Sequence, residues 1–149
     1  MPLFGKKGAV PPAKKVPVFG TAEGLREVAE STATSAQGTL GIQLDFTPGS
    51  LEVMDEAIDR FFEPGSPVIA PTVMSFGAYL GEVVIRNLGG RWRPSASWED
   101  AAVVEIGSVA EVYPMRRMMK RMQEGPENSV KFWYETITKY RAPGDPGQP

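Results

Sequence analysis

The chain has 149 residues, with 16 basic and 18 acidic side chains and neither histidine nor cysteine. That composition excludes disulfides, thiolate nucleophiles and cysteine zinc sites, and it removes the commonest general base, metal ligand and pH switch. The net charge of −2 hides a polarised chain: residues 1–20 hold four lysines and no acid, residues 21–111 five arginines against fourteen acids, and residues 112–149 seven bases against four acids.

The length fits one domain, expected over residues 21–141, between two tails. Residues 1–20, MPLFGKKGAVPPAKKVPVFG, are rich in Pro, Gly and Lys without periodicity, which predicts a disordered basic tail. PLFG and PVFG echo each other there, so Phe4 and Phe19 are candidate anchors of a short docking peptide, with the lysines adding attraction. MPLFGKK has no apolar core, so no secretory signal and a cytoplasmic location are expected. The most apolar stretch is broken by Pro71, Glu82 and Arg86, which argues against a membrane span. RAPGDPGQP, with residues 142–149, closes the chain as a flexible tail.

Within the domain, TAEGLREVAESTATSAQ predicts a first helix with a narrow stripe of Leu25, Val28, Ala29, Thr32, Ala33 and Ala36. GIQLDF alternates Ile42, Leu44 and Phe46, the pattern of a half-buried strand. TPGSLEVMDEAIDRFFE follows as a helix capped by Thr47, with Pro48 in its first turn and a core stripe of Leu51, Met54, Ile58, Phe61 and Phe62. Glu52, Asp55, Glu56, Asp59 and Glu63 fall opposite that stripe, as a solvated face or a docking face for a basic partner. A straight helix face does not converge the six to eight oxygens a calcium site needs.

A third helix is predicted from about Pro71 to Leu88, stopped by Gly89 and Gly90. Gly77 and Gly81 lie inside it on or beside the face of Val73, Leu80, Val84 and Leu88, each at a cost of about 1 kcal/mol against alanine. The gain would be close approach of the backbone of another strand or helix, or else a self-association face and a homo-oligomer. Glu82 and Arg86 point away as an i, i+4 pair. RWRPS reads as an edge strand around Trp92, and Trp98 reads as further sheet packing. AVVEIGSVAEVY predicts a hairpin at about 102–113 with a type II′ turn at Gly107-Ser108. PMRRMMKRMQEG is a short helix from Pro114 to Gly125, with Met115, Met118, Met119 and Met122 on one face and Arg116, Arg117, Lys120 and Arg121 around the other. A last helix, within PENSVKFWYETITKY, would face the core with Val130, Trp133, Ile137 and Tyr140 and leave one of Phe132, Trp133 and Tyr134 exposed. The sum is an α+β fold, a small antiparallel sheet packed by four to five helices.

GAYLGEVVIRNLGGRW, the hairpin, the YP step and MMKRMQEG resemble a bacterial domain family of unknown function, over roughly residues 40–140. The matching residues are Gly77, Tyr79, Leu80, Gly81, Glu82, Trp92, Pro114, Lys120, Arg121 and Gly125. The family often has an Asp-Gly pair after the Trp strand, whereas this chain reads SWEDAA there. The resemblance implies the fold and no activity.

No phosphate loop or nucleophile elbow occurs. Catalytic, cofactor and metal residues are therefore expected to be none, and no cofactor is expected. The first expectation for function is a non-enzymatic adaptor or regulator that binds another protein through Arg116, Arg117, Lys120 and Arg121, the acidic face or the tail. The small net charge gives no reason to expect nucleic acid. An immunity-type binder that neutralises a toxin is a second reading. A carboxylate-based enzyme, with Glu82, Tyr79 and Arg86 the first residues to inspect, is a third.

Overall fold

The computed structural model describes residues 20–140 apart from 68, 108 and 109 and the side chain of Tyr140. Both terminal segments, with Phe4 and Phe19, lie outside the described residues, as do Ser108 of the expected turn and the core contact expected of Tyr140. Five α-helices are described: α1 (Ala22–Leu40), α2 (Ser50–Phe61), α3 (Ala70–Leu88), α4 (Pro114–Glu124) and α5 (Val130–Ile137). They pack with three antiparallel strands, β1 (Arg91–Arg93), β2 (Ala102–Ile106) and β3 (Ala110–Val112), ordered β1-β2-β3. The fold is α+β. No described helix is long and apolar enough to cross a membrane.

α3 is the centre. Its expected buried face is present, but burial extends all round from Phe76 to Val84. α1 lies on it through Leu25, Ala29, Thr32 and Ala36, and the Thr32 hydroxyl lies within hydrogen-bond distance of the α3 carbonyl of Ser75 at 3.2 Å. α4 lies on another side with Met115, Met118 and Met122 buried. The glycines explain how these neighbours come so close. A Cβ on Gly77 would sit 2.9 Å from Met115 Cγ and 3.0 Å from Met115 Cα. A Cβ on Gly81 would fall inside the Trp92 ring. Trp92 is held there from below by its register partner Val103 and at its tip by Nε1, which donates to Glu82 Oε2 at 2.9 Å.

Several local expectations change. Ile42, Leu44 and Phe46 alternate in burial as predicted, but the segment is not a strand. Ile42 N donates to the α1 carbonyl of Ala36 at 3.4 Å, and at the other end side chains take the backbone of Phe46: its N donates to the Tyr79 hydroxyl at 2.8 Å and its O accepts from Asn87 Nδ2 at 2.8 Å. Phe46 is thereby held at φ 66°, off any strand geometry. α2 begins at Ser50, later than Pro48, yet Thr47 still closes the turn: its carbonyl accepts from Ser50 N at 3.0 Å and its hydroxyl lies 3.3 Å from the same N–H. Phe61, placed in the core stripe, is exposed, and Phe62 turns inward to meet Phe76 edge-on. In the hairpin, Ile106 pairs with Ala110, so three positions separate the strands where a two-residue turn was expected. The register shifts at Glu105, which sits at φ 66°. Trp98 packs from a 3₁₀ turn (Trp98–Asp100), outside the sheet. In α5 the inward aromatic is Tyr134, with Phe132 67% exposed.

The two glycines differ in what a methyl group would strike. At Gly77 it meets a flexible methionine and a backbone atom at the edge of contact; at Gly81 it meets a rigid indole. Gly81→Ala is therefore expected to destabilise by about 2 kcal/mol despite its helix-propensity gain, and Gly77→Ala by less than about 1 kcal/mol. Urea denaturation of both variants checks the ranking; equal stability of Gly81→Ala and the parent would remove the close-packing account.

Candidate functional site

The four cations of α4 part company in three dimensions. Arg121 is 2% exposed and faces α2. Its Nε donates to Asp55 Oδ1 at 2.8 Å, and its Nη2 donates to Asp59 Oδ1 at 2.7 Å and to Asp55 O at 3.1 Å. Burial disfavours its charge, but the bonds to Asp55 and Asp59 outweigh that and raise its pKa above the ordinary arginine value. Arg121 thus leaves the expected interaction surface and becomes a structural ion. The acidic face changes with it, since two of its five members pair with Arg121, Asp55 from within the fold and Asp59 from its exposed edge.

Asp55 does more than neutralise Arg121. Its Oδ1 accepts from Val130 N at 3.1 Å, and its Oδ2 accepts from Lys131 N at 3.1 Å and Ser129 Oγ at 2.8 Å. A carboxylate from α2 therefore caps the N-terminus of α5, where free N–H groups and the helix dipole favour negative charge. Ser129 supplies the local cap, accepting from Phe132 N at 3.1 Å.

Arg116, Arg117 and Lys120 remain together. They line an open groove of about 660 Å³ between β3, α4 and α5, facing Trp133 and Ile137. Arg116 lies 4.3 Å over the Tyr113 ring and pairs with Asp100. Arg117 donates from Nη1 to Asn128 Oδ1 at 2.9 Å, while its buried Nε has no hydrogen-bond partner among the described residues. Burial, only partly offset by Glu124, holds the Arg117 pKa below the ordinary arginine value. The Tyr113 hydroxyl donates to Glu111, which also takes Arg93 Nη2 at 2.9 Å, so the acid at the groove's edge is already engaged. Trp133 and Tyr113 belong to this surface and were not singled out as such from the sequence. Trp133 had been placed on the core face of its helix; it is half-buried because α5 turns Tyr134 inward.

The residues first inspected for catalysis are occupied structurally. Glu82 is 4% exposed, so it does not point away from the core as expected. It accepts from Trp92 Nε1 and from Arg86 Nε, the latter at 3.0 Å. Arg86 continues to Glu30 at 3.2 Å and covers the Phe46 ring at 3.8 Å. Ser50 Oγ donates to Thr47 O at 2.7 Å, so the Tyr79 hydroxyl, 2.6 Å away, donates to Ser50 and accepts from Phe46 N. Among the described residues, no group of three or more Asp or Glu could hold a metal ion.

No protein-family model, curated protein or solved structure matches this chain.

Asp55→Ala would leave Arg121 short of its main counter-charge and uncap α5, so a loss of about 3–5 kcal/mol is expected, against less than about 0.5 kcal/mol for Glu56→Ala on the same helix. Thermal or urea unfolding of the pair decides; similar losses would return Asp55 to the solvated face.

Burial, opposed by the bonds to Ser50 and Phe46, raises the Tyr79 pKa. A raised folded pKa means that the contribution is complete below the unfolded value, about 10, and is lost as pH climbs from there through the folded value. Stability measured across that alkaline range should fall more steeply for the parent than for Tyr79→Phe. Parallel curves would show that Tyr79 ionises as freely folded as unfolded.

Proposed function

We propose that the chain is a non-enzymatic protein-interaction domain that takes an acidic segment of a partner protein into the β3–α4–α5 groove. The observation that carries this reading is the Arg117 guanidinium: it is half-buried, its Nε lacks a partner among the described residues, and it stands on one wall with Arg116 and Lys120. A carboxylate placed in the groove would form charge-assisted bonds to the cations that line it. Trp133 and Tyr113 flank the cations and supply the flat apolar contact that interface anchors use. The absence of histidine and cysteine from the sequence supports the non-enzymatic part.

The resemblance to an uncharacterised bacterial domain family enters as part of this proposal. Gly77, Tyr79, Leu80, Gly81, Glu82, Trp92, Pro114 and Arg121 are all buried, so the shared motif describes how the domain is built. Of the groove cations, Lys120 belongs to that motif, whereas Arg116, Arg117 and Trp133 lie outside it.

Arg116 and Lys120 are exposed, so reversing both charges should leave the unfolding midpoint within a degree or two. Binding of a fluorescent oligoglutamate peptide to the full chain, read by anisotropy, is expected to weaken with salt and to weaken at least tenfold, about 1.4 kcal/mol, in Arg116→Glu/Lys120→Glu. Equal binding by parent and variant would overturn the groove as the binding site.

A further inference from the structure

A second groove has a different character. It runs along the outer side of α1 against the start of α3, with a volume of about 620 Å³, and its floor is Val28, Ala36, Leu40, Phe62, Thr72 and Phe76. Among the described residues, Glu27 is the one charged residue that lines it. A smaller recess continues from it past Phe62 and Thr72 to Ile69, which is 62% exposed, and there the one charged residue is Glu63. Among the described residues the lining is thus largely apolar, edged by carboxylates and without a cation.

We infer that this groove is the docking site of the chain's own N-terminal segment, residues 10–19, VPPAKKVPVF. Connectivity is the first reason. The segment joins the fold at Gly20, next to the α1 N-cap Thr21, and the groove begins one turn further on at Gly24 and ends at Leu40. That length of helix is about 24 Å, at 1.5 Å per residue. Eight extended residues, at about 3.3 Å each, span it by turning back along α1. Residues 10–19 suffice. Composition is the second reason. Val10, Val16, Val18 and Phe19 offer apolar side chains to the floor, and Pro11, Pro12 and Pro17 preset an extended backbone, so little conformational entropy remains to be lost on docking. Such a backbone carries unpaired carbonyls, and Ser31, Ser35 and Thr39 place hydroxyl donors along the groove. Charge is the third. Residues 1–19 carry Lys6, Lys7, Lys14 and Lys15 and no acid, complementary to a groove whose lining charge is Glu27. Tethering favours this occupant over a free one, since a segment linked by a single residue is held at millimolar effective concentration.

The chain has no cysteine, so Ala13→Cys provides one site for a nitroxide spin label in the otherwise unchanged full-length protein. With the label at position 13, the amide signals of Ser31, Ala36 and Phe76 are expected to lose most of their intensity. Phe19→Ser, placed outside the described fold, should restore them. Loss confined to the first turn of α1, as an undocked tether would give, overturns the inference. Loss centred on the α4–α5 groove does the same. The experiment is repeated with labelled, isotopically silent chain mixed into unlabelled, isotopically enriched chain. Broadening of equal size in that mixture would assign the groove to a second copy and overturn docking within one chain.

Discussion

Everything in this fold arranges itself around the space that Gly81 leaves empty. The Trp92 ring fills it, so the edge strand of the sheet is pressed against the middle of α3. Pro114 closes the same spot from the side, 3.2 Å from where a Gly81 Cβ would be, and this fixes the start of α4. Because the indole is buried, its N–H needs an acceptor, and Glu82 is the next residue of the helix. Because Glu82 is buried with it, its charge needs a cation, and Arg86 stands one turn on. Arg86 then reaches Glu30 on α1 and the Phe46 ring in the α1–α2 connection. A single missing Cβ is thus the origin of a chain of contacts that ties sheet, α3, α1 and the loop before α2.

This chain of contacts shows which parts of the structure were legible in the sequence. A glycine pair inside an apolar helical pattern points to close approach or self-association, and both Gly77 and Gly81 have a neighbour packed where a Cβ would be. The helix stops followed from local chemistry, with Gly89 ending α3 and Gly125 ending α4. What failed was the reading of polar residues on buried helices. A helical wheel assumes that the polar side meets water, and Glu82 and Arg121 meet protein. Arg116 and Arg121 lie about equally far from the centre of the Met stripe, on opposite flanks. One flank faces solvent and the other faces α2, a fact set by a partner 66 residues away in sequence. The signal that did exist was on α2, where Asp55 and Asp59 sit closer to the apolar stripe than Glu52, Glu56 or Glu63.

The misread strand has the same root. Alternation in GIQLDF reports which side chains are buried, and that part is right. It carries no information about where the backbone groups find partners. Here those of Phe46 go to Tyr79 and Asn87, side chains of α3, so the segment lies along a helix and forms no ladder. Periodicity identifies a buried face; long-range hydrogen bonding decides what kind of element presents it.

The charges divide by the same logic into those that join α2 to α4 and α3 to the sheet and α1, and those that line the open groove. Asp55, Asp59, Arg121, Glu82 and Arg86 are joined across elements and hold the helices in register. Arg116, Arg117 and Lys120 share a groove and are not needed to join α2 to α4. The two grooves are also backed by one wall. Phe76, beside Gly77, is part of the floor of the apolar groove, and Arg116, beside Met115, lines the basic one. Gly77 and Met115 are in contact between them. A small residue at position 77 is what lets α4 lie this close to α3, with one groove opening on either side of the contact.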